Sequence, residues 1–476
     1  AGVLAAVGVA GPALITWNHL GFWLDDLLHR RWRDQPVEKP VFVVGNARSG
    51  ATWTYRVLSK DDVNFTSPRL WEMLLAQSVT WRVLFHRLAS VEASLGSPVR
   101  RLLDLADRKW LGDSRIHPIS LFDIEEDEWL LMSLGACQLS ALVFPMVDDF
   151  DDLIHFDANL SKEARHNIFR FYRDCIKRHM YARHILGLER AWGGQLWPGR
   201  SLAPARTRYL SKNPTFTLRL QTVLEVFPDA SVVVMVRDPF KAVPSMVSYI
   251  AHCLRMFSTP TVRYPYNREL AALCLLHYTY PIAVSRMGGR HAQQICVMHY
   301  ELCVENLVRS MLALYRHLGL NITGFMAAEL QREAQFAHAY SSPHHYDLQL
   351  TCGQSEAEFI EQHRAAFELF PAYMPVRKSP SWSGPIETLA DNSLSPPRPL
   401  FRLASAEAMH DETDWWSSSP CGGTPCTRFQ PLSSPCLSSS DEEDDKANGE
   451  LRPYADEIPG EGHDDDEPIW LESGAS

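Results

Sequence analysis

The chain has 476 residues, 46% of them hydrophobic and 22% charged, an ordinary balance for a folded protein long enough to hold one large α/β domain or two average ones. Its net charge of −11 is a local property: fourteen acidic against two basic residues from Leu437 onward give −12, leaving about +1 for residues 1–436 and excluding a general attraction to nucleic acid. The ten cysteines include no C-x-x-C pair, so no zinc site or dithiol redox motif is written in them.

No charged residue precedes Asp25, and Ala1 to Leu24 is mostly Ala, Val, Gly, Leu, Ile and Trp, long enough to cross a bilayer. Trp17, Phe22 and Trp23 suit a membrane interface, and Arg30, Arg31 and Arg33 follow on the side that would face the cytoplasm if the helix spans. Pro12, Asn18 and His19 fit a spanning helix poorly and leave a second option, an apolar helix packed on the domain. Residues 1–33 are read as a membrane-associating segment, with the Golgi or another endomembrane as the expected location.

From Pro40 the pattern becomes α/β. "VFVVG", "SVVVMV" and "QICVMHY" are buried strands, and β-branched runs without alternation indicate a parallel sheet covered on both faces. Helical periodicity marks "TWTYRVLSK", "RLWEMLLAQSVTWRVLFHRL", "EEDEWLLMSLGACQLS", "EARHNIFRFYRDCIKRHMYARHI" and "TFTLRLQTVLEVF". The helix "ENLVRSMLALYRHLGL" stops at Gly319. Within "IEEDEW", Glu125, Glu126, Asp127 and Glu128 are expected to form a solvated helix start that complements the dipole. One domain is expected over 34–375. Residues 376–476, rich in Ser and Pro and then acidic, cannot bury enough apolar surface to order themselves and are expected to be a disordered tail.

The stretch Gly45-Asn-Ala-Arg-Ser-Gly-Ala-Thr has the look of a phosphate-binding loop. Its glycines let the backbone turn its N–H groups toward an anion, and the helix that follows adds its positive dipole end. The lysine of a triphosphate loop is missing, and the second strand ends in Arg237 followed by Asp238 rather than in a clear magnesium ligand. Arg48, Thr52 and Arg237 together suggest a phosphate-bearing nucleotide held without metal.

"PVFVVGNARSGATWTYRVLS" resembles the 5′-phosphosulfate loop of sulfotransferases, and "LSKNPTFTLRLQTVLEVFPDASVVVMVRDPFKAVPSMVSY" resembles the family's run into its 3′-phosphate motif. "IHPISLFDIEEDEWLLMSL" and "VMHYELCVENLVRSMLALYRHLGL" are similar to the same family, which extends the resemblance over about Trp17 to Phe370. It implies a three-layer α/β sulfotransferase fold with a P-loop-like parallel sheet flanked by helices. It also implies 3′-phosphoadenosine 5′-phosphosulfate (PAPS) as donor and no metal. By the same resemblance Arg48 and Lys212 act on the departing charge, and Thr52 holds the 5′-phosphate beside Ser49, Gly50, Ala51 and Trp53. Arg237 and Ser245, eight residues apart, hold the 3′-phosphate. Ala51 departs from the usual threonine and removes a hydroxyl. Glu72 occupies the kind of position where tyrosylprotein sulfotransferases carry their catalytic glutamate, and His117 lies in the acceptor-side H-P motif, so both are candidate bases. His344-His345-Tyr346 is a candidate cap over the donor or acceptor.

The expected activity is metal-independent, in-line transfer of a sulfuryl group to a hydroxyl or amine on a glycan, a lipid-like alcohol or a protein tyrosine. The rivals are a catalytically silent donor-binding scaffold at a membrane and a P-loop kinase, which would need a Walker lysine and a metal-holding aspartate.

Overall fold

The computed structural model describes residues 2–110, 119–142, 150–187, 207–257, 267–339 and 346–374, all within one unit of the chain, Ala1–Ala404. His117, His344, His345 and the tail expected from residue 376 lie outside these.

Five parallel strands form one sheet in the order β2-β3-β1-β4-β5. They are β1 (Val41–Gly45), β2 (Phe65–Thr66), β3 (Arg208–Lys212), β4 (Ser231–Val236) and β5 (Ile295–His299). The three apolar runs became β1, β4 and β5. β1 lies at the centre, with Val43 opposite Lys212 of β3 and Gly45 opposite Met235 of β4. Side chains alternate across a strand, so β1 sends Phe42 and Val44 to one face and Val41 and Val43 to the other. Both faces are buried. The first packs on α6 (Lys162–Leu186), α8 (Pro239–Phe257) and α9 (Asn267–Arg286), through Tyr172, Val243 and Tyr278 among others. The second packs on α2 (Ala51–Ser59) and α10 (Leu307–Leu318), through Tyr55, Leu58, Met311 and Leu314. These are the three layers expected from the unbroken β-branched runs.

The long apolar pattern after β2 splits into α3 (Leu70–Leu75) and α4 (Val79–Ser94), because Ser78 caps the second helix by accepting from the Trp81 N–H at 3.1 Å. A short loop leads to α5 (Pro98–Trp110). "TFTLRLQTVLEVF" likewise begins as a 3-10 turn, Thr215–Arg219, before α7 (Leu220–Val226).

The N-terminal segment is helix α1 (Gly2–Leu28), and its C-terminal half belongs to the domain's packing. Trp17 stacks on Trp81 with ring centroids 3.9 Å apart, and Phe22 joins the core under the first sheet face. Asp25 is fully buried; its carboxylate accepts the Val79 and Thr80 N–H groups at 2.9 and 2.8 Å and the Arg178 Nε–H at 3.1 Å. Among the described residues no helix is long and apolar enough to cross a membrane.

The acidic quartet is a correction to the expectation. Residues 127–134 form a 3-10 turn rather than an α-helix, and Glu125, Asp127 and Glu128 are buried rather than solvated. Each of the last three acids reaches the segment that runs from β3 into α7. Glu126 pairs with Lys212, Asp127 accepts from Ser211 and Asn213, and Glu128 accepts from Thr215 and Arg219. Buried charges need such partners, and these partners lie more than eighty residues away in sequence, out of reach of a local pattern.

Candidate active site

The loop, lysine and arginine singled out in sequence gather where the strands end. The Gly45–Thr52 loop leaves β1, Lys212 ends β3, Arg237 follows β4 and Tyr300 follows β5. β1 connects to β3 on one side and β4 on the other, so the chain reverses its winding here, and ligands of open α/β sheets bind at the carboxyl ends of such strands.

The loop's glycines are required by backbone geometry. Gly45 has φ of 127°, and a Cβ there would lie 2.3 Å from the Met235 carbonyl oxygen. Gly50 has φ of 89°, and a Cβ would lie 2.3 Å from the Tyr300 ring. Arg48 also sits at positive φ, 69°, with no glycine to ease it. A left-handed non-glycine residue costs about 1–3 kcal/mol, and such strain persists where surrounding contacts impose it. Here Arg237 Nη1 donates to the Arg48 carbonyl at 3.0 Å, and Arg48 Nε donates to Ser245 Oγ at 3.1 Å.

The two halves of the nucleotide reading therefore meet. The eight-residue spacing places Ser245 two turns into α8, buried, on the side that faces Arg48. The Arg237 guanidinium lies 4.6 Å over the Tyr300 ring, and Tyr278 donates to the Arg237 carbonyl at 2.8 Å. Arg48 lies 5.9 Å over Tyr249, and Tyr346 shares a 3.3 Å hydrogen bond with Ser245. Ser49 Oγ and Arg237 Nε are buried without a hydrogen-bond partner among the described residues. A buried donor left so is costly, and an anion with several oxygens is the ligand that matches this set. The residues thus fit a nucleotide phosphate. Ala51, at the start of α2, is buried in the apolar cluster with Tyr55 and Val57, while Thr52 and Trp53 are half-buried beside it.

Lys212 is fully buried, held at the β3 end by its pairing opposite Val43 and by Asn213, whose N–H donates to the Val43 carbonyl at 3.1 Å. Its ammonium contacts Glu126. Beneath this pair, Asp127 is fully buried, and burial raises its carboxyl to about 6 although Tyr172, Tyr209, Ser211 and Asn213 all bond to it.

Glu72 has both carboxylate oxygens engaged. One oxygen caps α3 by accepting the Arg69 N–H at 2.7 Å, and the other takes Arg82 Nη1 at 2.5 Å. Arg82 also donates to His179 Nδ1 at 2.7 Å, and burial holds the His179 ring neutral, so its Nε2–H is left for Thr66 at 2.8 Å. Glu126 is the carboxylate beside Lys212. Sequence reasoning missed it as a site residue, together with Tyr249 and Tyr300 as walls of the loop, whereas Tyr346 belongs to the candidate cap singled out in sequence. Glu126, Tyr249 and Tyr300 all fall within the quoted motifs, but nothing local in those stretches distinguishes them from their neighbours.

A parallel sheet flanked by helices, with a glycine-bearing loop at its switch point and two arginines meeting there, defines an α/β protein of three layers. Residues 40–324 match the model of the sulfotransferase family, and the chain belongs to that family. It is 25% identical over 235 residues to the omega-hydroxy-beta-dihydromenaquinone-9 sulfotransferase Stf3 of Mycobacterium bovis, and equally to that of Mycobacterium tuberculosis. The match covers 48% of this chain and 50% of each relative, so the chain spans about half the length of the curated relatives it matches. The crystal structure of sulfotransferase STF9 from Mycobacterium avium shares the fold, with a TM-score of 0.52 at 17% identity over 77% of this chain and 84% of that one.

Proposed function

We propose that the chain is a sulfotransferase that uses PAPS, without metal, to sulfate a hydroxyl of a lipid-like alcohol, working at a membrane surface. The observation that carries the reading is the direct joining of its two anion motifs, the strained loop residue Arg48 bonded to Ser245 and held through its carbonyl by Arg237. The donor, when bound, supplies a sulfuryl group whose departure leaves negative charge on a phosphate oxygen.

The loop N–H groups, Ser49 and Thr52 would hold the 5′ end, and Arg237 with Ser245 the 3′-phosphate. Arg48 and Lys212 bring positive charge to the departing oxygen, with the Arg48 guanidinium preorganised by its bond to Ser245. Glu126, released from Lys212 as that ammonium turns to the donor, takes the proton of the acceptor hydroxyl. Glu72, with both oxygens engaged, fixes the start of α3. The printed name of the curated relatives, a hydroxylated menaquinone sulfotransferase, supports an acceptor of lipid-like chemistry.

The test is incubation of the full chain with sulfur-labelled PAPS and a membrane lipid extract, with and without a metal chelator. Label should enter an organic-extractable product, survive chelation and vanish in Lys212→Ala. Donor binding without transfer to lipid, glycan or protein would instead mark a silent donor-binding protein.

A further inference from the structure

Among the described residues, seven of the 24 exposed large apolar side chains fall between Leu84 and Leu105, a stretch of 22 residues. Their spacing is ordered. Leu84, Leu88 and Val91 of α4, with Leu95 at its C-cap, recur at i, i+4, i+7 and i+11 along one continuous face and are 39% to 73% exposed. Val99, Leu102 and Leu105 form a second exposed row on α5, at 50% to 66%. The opposite faces of both helices are occupied. Val79 and Arg82 of α4 are buried, Arg82 against Glu72 and His179; Asp107 of α5 accepts from Ser120 Oγ at 2.7 Å and from the Leu121 N–H at 2.9 Å. The apolar rows are therefore the outer surface of the α4–α5 pair.

Their charge is one-sided. The exposed charged residues on α4 and on 98–107 of α5 are Arg87 and Arg101, both cationic. The acids on these two helices are drawn inward, with Asp104 paired to Arg100 at 2.8 Å. Apolar rows flanked by arginine match a leaflet whose headgroups are anionic.

The pair's position is equally specific. The chain leaves for it at α3 and returns at Leu121–Ile124, and the two ends are stitched together: Leu70 N–H donates to the Asp123 carbonyl and Trp71 N–H to the Leu121 carbonyl, both at 2.9 Å, with a further bridge between Arg69 and Ile124. Two residues beyond Ile124 is Glu126, on Lys212.

We propose that the outer face of α4 and α5 seats the protein on an anionic lipid bilayer, with the acceptor side of the site beside the membrane. An acceptor alcohol could then enter from the leaflet instead of from water. The link to an acceptor rests on the sulfotransferase reading, but the membrane face itself does not.

The experiment is co-sedimentation of the full chain with phosphatidylcholine vesicles, with and without phosphatidylglycerol, run alongside thermal stabilisation by 3′,5′-adenosine bisphosphate and light scattering for oligomeric state. The expected result is sedimentation that is strongest with phosphatidylglycerol and falls at least about tenfold in the double variant Leu88→Asp/Val91→Asp. Arg87→Glu/Arg101→Glu should weaken binding to the anionic vesicles and not to the neutral ones. All these positions are exposed, so the bisphosphate shift should stay unchanged and report an intact fold. Failure to sediment, or equal sedimentation by the double variant, overturns the proposal. So does a dimer in solution that the double variant dissociates, because the face would then be an interface between two copies. Loss of the bisphosphate shift with retained vesicle binding would remove the sulfotransferase reading and leave the membrane face standing.

Discussion

Arg48 shows how a single residue can carry both strain and purpose. Its positive φ is imposed by Arg237 on its carbonyl and by Ser245 on its guanidinium, so the loop is set before any ligand arrives. The adjoining glycines admit no substitute. Gly45→Ala meets a backbone oxygen that cannot swing away, and should cost about 3 kcal/mol or more in urea unfolding; a cost under about 1 kcal/mol would show the loop free to move. Glu126→Gln should lower the rate of transfer by about a hundredfold or more while leaving bisphosphate binding intact, and Glu72→Gln should act mainly on stability. The reverse pattern would return the base to Glu72. Asp127 adds a pH signature. Burial raises it to about 6 from an ordinary 3.8, so the folded state binds its proton more tightly, and its contribution is full below 3.8 and lost as pH rises through about 6. Measured against Asp127→Asn, the native chain should lose about 1 kcal/mol between about pH 5 and about pH 7, and an unchanged difference would contradict the burial argument.

At the scale of elements, the N-terminal helix teaches most. Read by composition it suits a bilayer, yet its second half is fixed to α4 and α6 by the buried Asp25. Asp25→Ala would strand the Arg178 guanidinium and two backbone N–H groups, at an expected cost of about 3–5 kcal/mol. Calorimetry checks this. A melting point left within error would mean that α1 merely rests on the domain. The elements legible in sequence were those whose own pattern decides their fate: β1, β4 and β5 through unbroken apolar runs, and α10 through its period and the stop at Gly319. β3 was not legible as a strand, because "RYLSK" is half polar and owes its burial to Asp127 and Glu126 arriving from another segment. For the same reason the acidic quartet read as a solvated helix start. Its partners are tertiary, and no periodicity announces them.

Over the whole molecule, the order β2-β3-β1-β4-β5 brings the loop, Lys212, Arg237 and the Ser245 of α8 together at the carboxyl ends of the three inner strands. The spacing of the two anion motifs was visible in sequence. Their contact was not, because it depends on β1 and β4 lying side by side with Gly45 opposite Met235. On the function proposed above, that contact would account for the missing lysine, because arginines from two strand ends would hold phosphates carried without a magnesium-bound triphosphate.

The measurement that tests this account most directly is the thermal stabilisation of the full chain by 3′,5′-adenosine bisphosphate, compared with magnesium–ATP and with adenosine monophosphate. A ligand that binds only the folded state raises the melting point by mass action. The account predicts a clear rise with the bisphosphate, little with the monophosphate, and loss of the rise in Arg237→Ala. A rise with magnesium–ATP alone would contradict it, and would turn the strained loop back into a triphosphate site.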